Sequence, residues 1–361
     1  MASIGIAGAG VLGRLMAWRL ARAGHSVQVF DPAAGPEPPA IQTGSAAAQA
    51  VHAAGFTAAG MLSPIAELDS ADAAIARLGW RSLPLWRAIG EALGGAEPLV
   101  RVNDSLLLAH GSDRGAAQRV LARLDAVPEA PPAQALDAAA LRALEPALAP
   151  GLLGWRLPGE GQVLPRETLL ALARQAIGVQ WFWNTRVRDV GPGHLTLEHG
   201  DLRPFDLAID ARGLGARPQV ALRGVRGEIV WLHAPGVLLQ RPVRLLHPRH
   251  RVYLVPRPGE RIVVGASEIE SEDRSPPSLR SAVELMTAAH SVLPELAEAR
   301  IEHMESNLRP ARPDNAPWVH TQPGLLRVNG LFRHGWLIAP ALVDDALAAA
   351  GLATPLETLH A

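Results

Sequence analysis

The chain has 361 residues, enough for two hydrophobic cores, and a formal net charge of −1, which creates no field to draw in nucleic acid or an anionic membrane. It has no cysteine and no lysine, all 34 basic residues being arginine. That composition excludes disulfides, thiolate metal sites, a cysteine nucleophile, a flavin tethered through cysteine, Schiff-base chemistry and a lysine general base.

Residues 4–13 read Ile-Gly-Ile-Ala-Gly-Ala-Gly-Val-Leu-Gly, and Asp31 closes the next apolar run, Val27-Gln28-Val29-Phe30. A strand, Gly8-x-Gly10-x-x-Gly13, a helix and a second strand ending in an acid form the dinucleotide-binding βαβ pattern. Gly8 permits the tight turn, Gly10 lets backbone approach a pyrophosphate, and Gly13 lets the helix pack on the strand. The phosphates then face the N–H groups of the helix start, beside Ala9, Val11 and Leu12. Asp31, followed by Pro32, is placed to accept from a ribose 2′-hydroxyl. No window is apolar for long enough to span a bilayer, and the chain runs directly into its first strand, so a cytoplasmic protein is expected.

Residues 32–58 read as a long irregular loop. Ala71–Leu93 has helical periodicity that Pro84 should break or kink, Val100–Ala109 reads as a strand, and Arg114–Leu124 and Leu136–Leu144 as helices around the breaker cluster Pro128–Pro132. A helix over Arg166–Ile177 precedes strands at Val179–Trp183, Arg186–Val190, Leu195–Glu198 and Leu207–Ala211, the last entering the glycine turn that contains Ala211 and Gly213. Further strands follow at Gly227–His233, Val252–Pro256 and Arg261–Ser267, then a helix from Ser278 to Val292, a strand at Leu325–Val328 and a helix over Ala339–Ala350. A doubly wound sheet brings the glycine turns at 8–13, 211–215 and 330–335 to one edge, so a second domain must be inserted in pieces.

Several further segments carry a resemblance: Thr57-Ala58-Ala59-Gly60-Met61-Leu62-Ser63-Pro64 with Glu67; Gly161-Gln162-Val163-Leu164-Pro165; Asp210-Ala211-Arg212-Gly213; Val225-Arg226-Gly227-Glu228; Tyr253-Leu254-Val255-Pro256-Arg257; Val264-Gly265-Ala266-Ser267; Leu308-Arg309-Pro310 with Asp314; and Phe332-Arg333-His334-Gly335-Trp336-Leu337-Ile338-Ala339-Pro340. With the N-terminal fingerprint, and in this order, they resemble the glycine oxidase (ThiO-like) branch of the D-amino-acid oxidase family. The resemblance implies an α/β fold: a Rossmann-like FAD-binding domain with an interleaved antiparallel-sheet, α+β substrate domain. On this reading residues 1–85, 150–218 and 306–361 form the discontinuous FAD-binding domain, and 86–149 and 219–305 the substrate domain. It implies non-covalent FAD, with Ala59, Gly60 and Met61 beside the cofactor, the Val187 backbone at the adenine, and Leu331–Leu337 (including Arg333, His334, Gly335 and Trp336) at the flavin ring.

The resemblance also places Arg309 over the flavin, gripping a substrate carboxylate, a task that suits the guanidinium fork; a structural ion pair is the plain alternative. Tyr253, the sole tyrosine, stands where the family carries a second hydrogen bond to that carboxylate; packing in a half-buried strand is its alternative. His334 replaces the usual asparagine, either tuning the site or simply substituting a hydrogen bond. Departures from the family pattern are the long segment between Asp31 and Gly55, the basic run His247-Pro248-Arg249-His250-Arg251, and Glu268, which either points inward toward a cationic amine or caps a solvated strand end. The spacings of His247, His250, His320 and His334 match no metal site. The implied reaction is oxidation of the C–N bond of a small primary or secondary amino acid by hydride transfer to flavin N5, giving an imine that hydrolyses to an oxo acid, with O2 as acceptor. An amine dehydrogenase with another acceptor, or a catalytically silent flavin-binding partner protein, are the rival readings.

Overall fold

The computed structural model describes residues 1–38, 52–68, 72–246 and 251–352. Two large sheets organise them. In the first, six strands lie in the order Trp318–Gln322, Leu325–Asn329, Leu207–Asp210, Ser3–Ala7, Ser26–Phe30 and Gln180–Phe182. All neighbours pair in parallel except the edge strand Trp318–Gln322, which is antiparallel to Leu325–Asn329. Ser3–Ala7 is buried from Ile4 onward, as a parallel strand covered on both faces requires. The helices Val11–Arg22, Pro165–Gln175, Ala73–Leu93 and Gly335–Ala349 share its main core, with Leu15, Met16, Trp18, Trp86 and Ile338 inside it.

The second sheet has eight strands in the order Arg300–Ala311, Arg223–His233, Arg261–Gly265, Arg251–Arg257, Val243–Leu246, Ser105–Ala109, Leu153–Leu157 and Gln134–Leu136. It is antiparallel apart from the Val243–Leu246/Ser105–Ala109 pair. The helix Leu279–Val292, capped by Ser278 Oγ on the Ser281 N–H, covers one face.

Three expectations need correcting, and one strand was not anticipated. The helix Ala73–Leu93 runs through Pro84 without breaking; its buried face, with Gly79 against Leu337 and Pro64, outweighs the proline penalty of about 3 kcal/mol. Val100–Ala109 splits into Val100–Arg101 and Ser105–Ala109 in different sheets, because Asp104 adopts φ 69° and its carboxylate takes Arg156 Nε and the Gly159 N–H. The last helix starts at Gly335, four residues before Ala339. Pro340 cannot donate to the Trp336 carbonyl, and Trp86 Nε1 donates to it instead at 2.6 Å, so the helix tolerates the proline. Finally, the twelve-residue strand Arg300–Ala311 has no alternating pattern and forms because Arg223–His233 pairs with it along its length. Among the described residues no helix is long and apolar enough to cross a membrane.

Candidate active site

The carboxyl ends of the parallel strands gather the three glycine turns. Gly8 N–H donates to Phe30 O, Ala211 N–H to Ala7 O, and Asn329 Nδ2 to Gly213 O. Gly8 has φ 101°, and a Cβ there would stand 2.5 Å from the Ala211 carbonyl oxygen; one at Gly13 would overlap the Gly8 carbonyl. Gly10 differs: a Cβ there would meet nothing nearer than Ala53 Cβ at 3.8 Å, and the residue borders a cavity. Packing does not demand glycine at position 10, and its bare backbone leaves room at the cavity wall.

Asp31 braces this turn. One carboxylate oxygen accepts the Ala9 N–H at 2.6 Å and the other the Ala33 N–H at 2.8 Å. Arg14 takes the other side of the same residue, with Nε donating to Ala9 O at 2.7 Å and its Nη atoms to Leu169 and Pro36 carbonyls. Burial lowers its pKa to about 10, against the opposing charge of Asp31. Val187 borders the cavity, its carbonyl accepting from Arg212 Nη1 at 3.0 Å while Arg212 forks onto Asp210.

The cavity measures about 1450 Å³ and runs from this turn to the second sheet. That exceeds the 300–1,000 Å³ usual for a small ligand. Of the residues singled out from the sequence, Gly8, Gly10, Val11, Leu12, Asp31, Pro32, Ala59, Gly60, Met61, Val187, Ala211, Gly213, Tyr253, Arg309, Arg333, His334, Gly335, Trp336 and Leu337 all line it. Ala9 and Gly13 are not brought to its wall: both polar groups of Ala9 are held by Asp31 and Arg14, and Gly13 is pressed on Gly8.

Midway, Gly60 O accepts the Val163 N–H, and Arg257 donates to Ala59 O and to Gln162 Oε1 at 2.6 Å, fixing the Ala59–Met61 turn. Burial lowers the Arg257 pKa to about 10. Opposite, Gly335, Trp336 and Leu337 form the first turn of a fifteen-residue helix, whose N–H groups have no partner in the helical ladder. They present a partial positive charge to the cavity.

At the far end Arg309, paired with Val225 across the sheet, reaches back so that both Nη atoms lie 3.1 Å from the Ser267 carbonyl oxygen. Gly227 makes room, since any Cβ there would overlap the guanidinium. Ser267 is itself clamped, its N–H donating to Glu228 O and its Oγ accepting the Glu228 N–H. Burial lowers the Arg309 pKa, with Tyr253 and Glu268 acting in the opposite sense. The Tyr253 ring packs on Gly265, and burial raises its phenol pKa against the surrounding Arg309, Arg244, Arg333 and Arg257 charges.

Beside them charges alternate. Arg244 Nη2 donates to Glu67 Oε1 at 3.0 Å; Arg333 Nη2 lies 3.2 Å from Glu67 Oε2; and Arg333 Nη1 donates to Glu268 Oε2 at 3.2 Å. Burial pushes the Glu67 carboxyl up, but the Arg333 and Arg244 guanidiniums overcome it and hold it well below the usual carboxylate range. His334 Nδ1 approaches Glu67 Oε2 to 3.1 Å without hydrogen-bond geometry. Glu268 borders the cavity with its side chain 48% exposed. His247, His250 and Arg249 lie outside the described residues.

Sequence reasoning missed Arg244, whose signal was a lone charge in the apolar run Val243–Leu246. It also assigned no role to Thr57, quoted only as the start of a family segment, and missed Asn307 and Glu305; Asn307 Nδ2 donates to Thr57 Oγ1 at 3.1 Å and Thr57 Oγ1 donates to Glu305 at 3.3 Å. No short-range signal links these three residues.

The long cavity, the open backbone at Gly10 and the helix N-terminus at Gly335 suit an extended flavin dinucleotide. Comparison with known proteins agrees. A family model described as FAD dependent oxidoreductase matches residues 3–346. The thiamine biosynthesis oxidoreductase ThiO of Rhizobium etli is 38% identical over 346 residues, covering 94% of this chain and 93% of that protein. A glycine oxidase of Geobacillus kaustophilus is 27% identical, covering 93% and 89%. Among solved structures, glycine oxidase from Bacillus cereus superposes with a TM-score of 0.80 at 22% identity, covering 98% of each chain, which shows the shared fold. Iminodiacetate oxidase from Chelativorans sp. superposes with a TM-score of 0.78 at 25% identity, covering 98% of this chain and 97% of that one. The chain belongs to the FAD dependent oxidoreductase family, with the D-amino-acid-oxidase-type fold and FAD as its cofactor.

Proposed function

We propose that this enzyme oxidises the C–N bond of a small amino acid, primary or secondary at nitrogen, with molecular oxygen as the final acceptor. The observation that carries the reading is the Arg309 guanidinium at the cavity head. It is pinned by Ser267 O through its Nη atoms and borders the cavity, where it can receive a carboxylate. Tyr253 offers a phenol to the same anion. Gly8, Gly10 and the turn at Ala211–Gly213 would hold the dinucleotide phosphates and ribose, and Ala59–Met61 with Arg333–Leu337 would hold the ring system. FAD, when bound, supplies the two-electron acceptor.

The chain's own residues then orient and polarise. Arg309 and Tyr253 fix the carboxylate, so one α-hydrogen is aimed into the cavity between the Ala59–Met61 turn and the Gly335 helix start. The first-turn amides of that helix stabilise negative charge developing opposite the substrate. No side-chain base is assigned; the substrate reacts as its neutral amine, so turnover rises with pH until that amine is deprotonated. Within this reading residues 1–85, 150–218 and 306–361 serve chiefly the cofactor and 86–149 and 219–305 the substrate, with Arg309 reaching from the former into the substrate space. The names of the relatives, glycine oxidase and iminodiacetate oxidase, support oxidation of glycine-like amino acids. Anaerobic mixing of the FAD-loaded enzyme with glycine, sarcosine and both enantiomers of alanine tests it. Loss of the oxidised flavin band with at least one is expected; an unbleached band throughout refutes it.

A further inference from the structure

The peptide that anchors Arg309 is also the one that presents Glu268. Both Arg309 Nη atoms bond the Ser267 carbonyl at 3.1 Å, and Glu268 is the next residue. Standard peptide geometry therefore holds the Glu268 Cα within about 6 Å of the guanidinium. A ligand whose carboxylate sits on Arg309 has its remaining substituents beside Glu268.

Two arginines beside Arg309 are already engaged. Arg244 is spent on Glu67, and Arg333 is shared between Glu67 and Glu268. Of these three arginines, Arg309 alone has only backbone carbonyls as its acceptors, so of the three it is the one available to a carboxylate. A second carboxylate placed beside Glu268 would meet a like charge at the cavity rim. A neutral or cationic substituent would not.

We propose that Glu268 is a specificity-determining residue that restricts the pocket to amino acids with a single carboxylate and disfavours aminodicarboxylates. The inference rests on Arg309 being the carboxylate grip, as assigned above, but it does not require that any particular amine be oxidised. It is tested with two non-oxidisable oxygen analogues of N-substituted glycines: methoxyacetate, with one carboxylate, and diglycolate, with two. Each is titrated into the FAD-loaded wild type, Glu268→Gln and Glu268→Asp while the oxidised flavin spectrum is recorded.

In the wild type, diglycolate should bind about tenfold more weakly than methoxyacetate, a penalty limited by solvent at the rim and reduced by salt. Glu268→Gln removes the repulsion and frees one side of Arg333, so the ratio should fall to about one or invert. Glu268→Asp keeps the charge and should retain most of the discrimination, which a merely structural role for Glu268 would not predict. Equal or tighter binding of diglycolate by the wild type overturns the proposal, as does a ratio unchanged in Glu268→Gln, or a spectrum that neither ligand perturbs. The amine panel reports separately on oxidation, so failure of that reading is distinguishable from failure of this one.

Discussion

Replacing Glu67 by glutamine examines the charged head of the cavity without touching its shape. The carboxylate is buried between Arg244 at 3.0 Å and Arg333 at 3.2 Å. Glutamine keeps the volume and leaves two buried guanidiniums sharing a neutral amide. Breaking a buried pair from one side costs about 3 kcal/mol or more. With an unfolding entropy of about 2 cal/mol/K per residue, that lowers the melting temperature by about 4 °C for a chain of this length. The pH dependence has a definite sign. The folded carboxyl lies well below its ordinary value of 4.5, so its stabilisation is complete above about pH 5.5 and disappears as pH falls through the folded value. The gap between wild type and Glu67→Gln, measured by thermal melts of the FAD-loaded proteins, should hold from pH 6 to 8 and narrow below pH 4.5. A variant as stable as the wild type at pH 7, or a gap that widens in acid, refutes the reasoning.

Glu160 should behave in the opposite way. It is fully buried on the Ile65 and Ala66 N–H groups and Ser105 Oγ, and burial raises its pKa to about 7, the hydrogen bonds opposing. Because the folded state favours the protonated acid, stability falls as pH rises from 4.5 to 7, by about 3 kcal/mol in all. Glu160→Gln should therefore gain on the wild type across that interval in urea titrations; a constant difference would contradict it. Trp86→Phe strands the Trp336 carbonyl that Pro340 cannot satisfy and should cost about 2 kcal/mol in urea denaturation. Adding Pro340→Ala restores a helical N–H donor, so the double variant should lose less than the two single effects added together; full additivity would exclude the compensation.

What the sequence made legible was whatever is dictated locally. The turn at Gly8–Gly13 and the acid at Asp31 follow from backbone needs inside thirty residues, and their places in the structure agree. The Arg309 and Tyr253 assignments came through resemblance, and the fold brings both to one cavity wall. The charge relay Arg244–Glu67–Arg333–Glu268 was not readable, since its members come from four separate segments and meet only through sheet register and the turn before the last helix. The strand Arg300–Ala311 escaped for the same reason: its pairing with Arg223–His233, and not its side-chain pattern, makes it a strand. Helix boundaries at Gly335 and Pro340 misled because the bond from Trp86 arrives from 250 residues away.

The central claim, that Arg309 receives the substrate carboxylate, is met most directly by anaerobic stopped-flow reduction of FAD-loaded wild type, Arg309→Lys and Arg309→Ala with the best amine of the panel. Loss of a buried, forked ion pair costs about 3 kcal/mol, so Arg309→Ala should raise the apparent dissociation constant about a hundredfold. Lysine, a point charge without the fork, should recover part of that loss. An apparent affinity in Arg309→Ala within threefold of wild type, with FAD fully bound, would contradict the account.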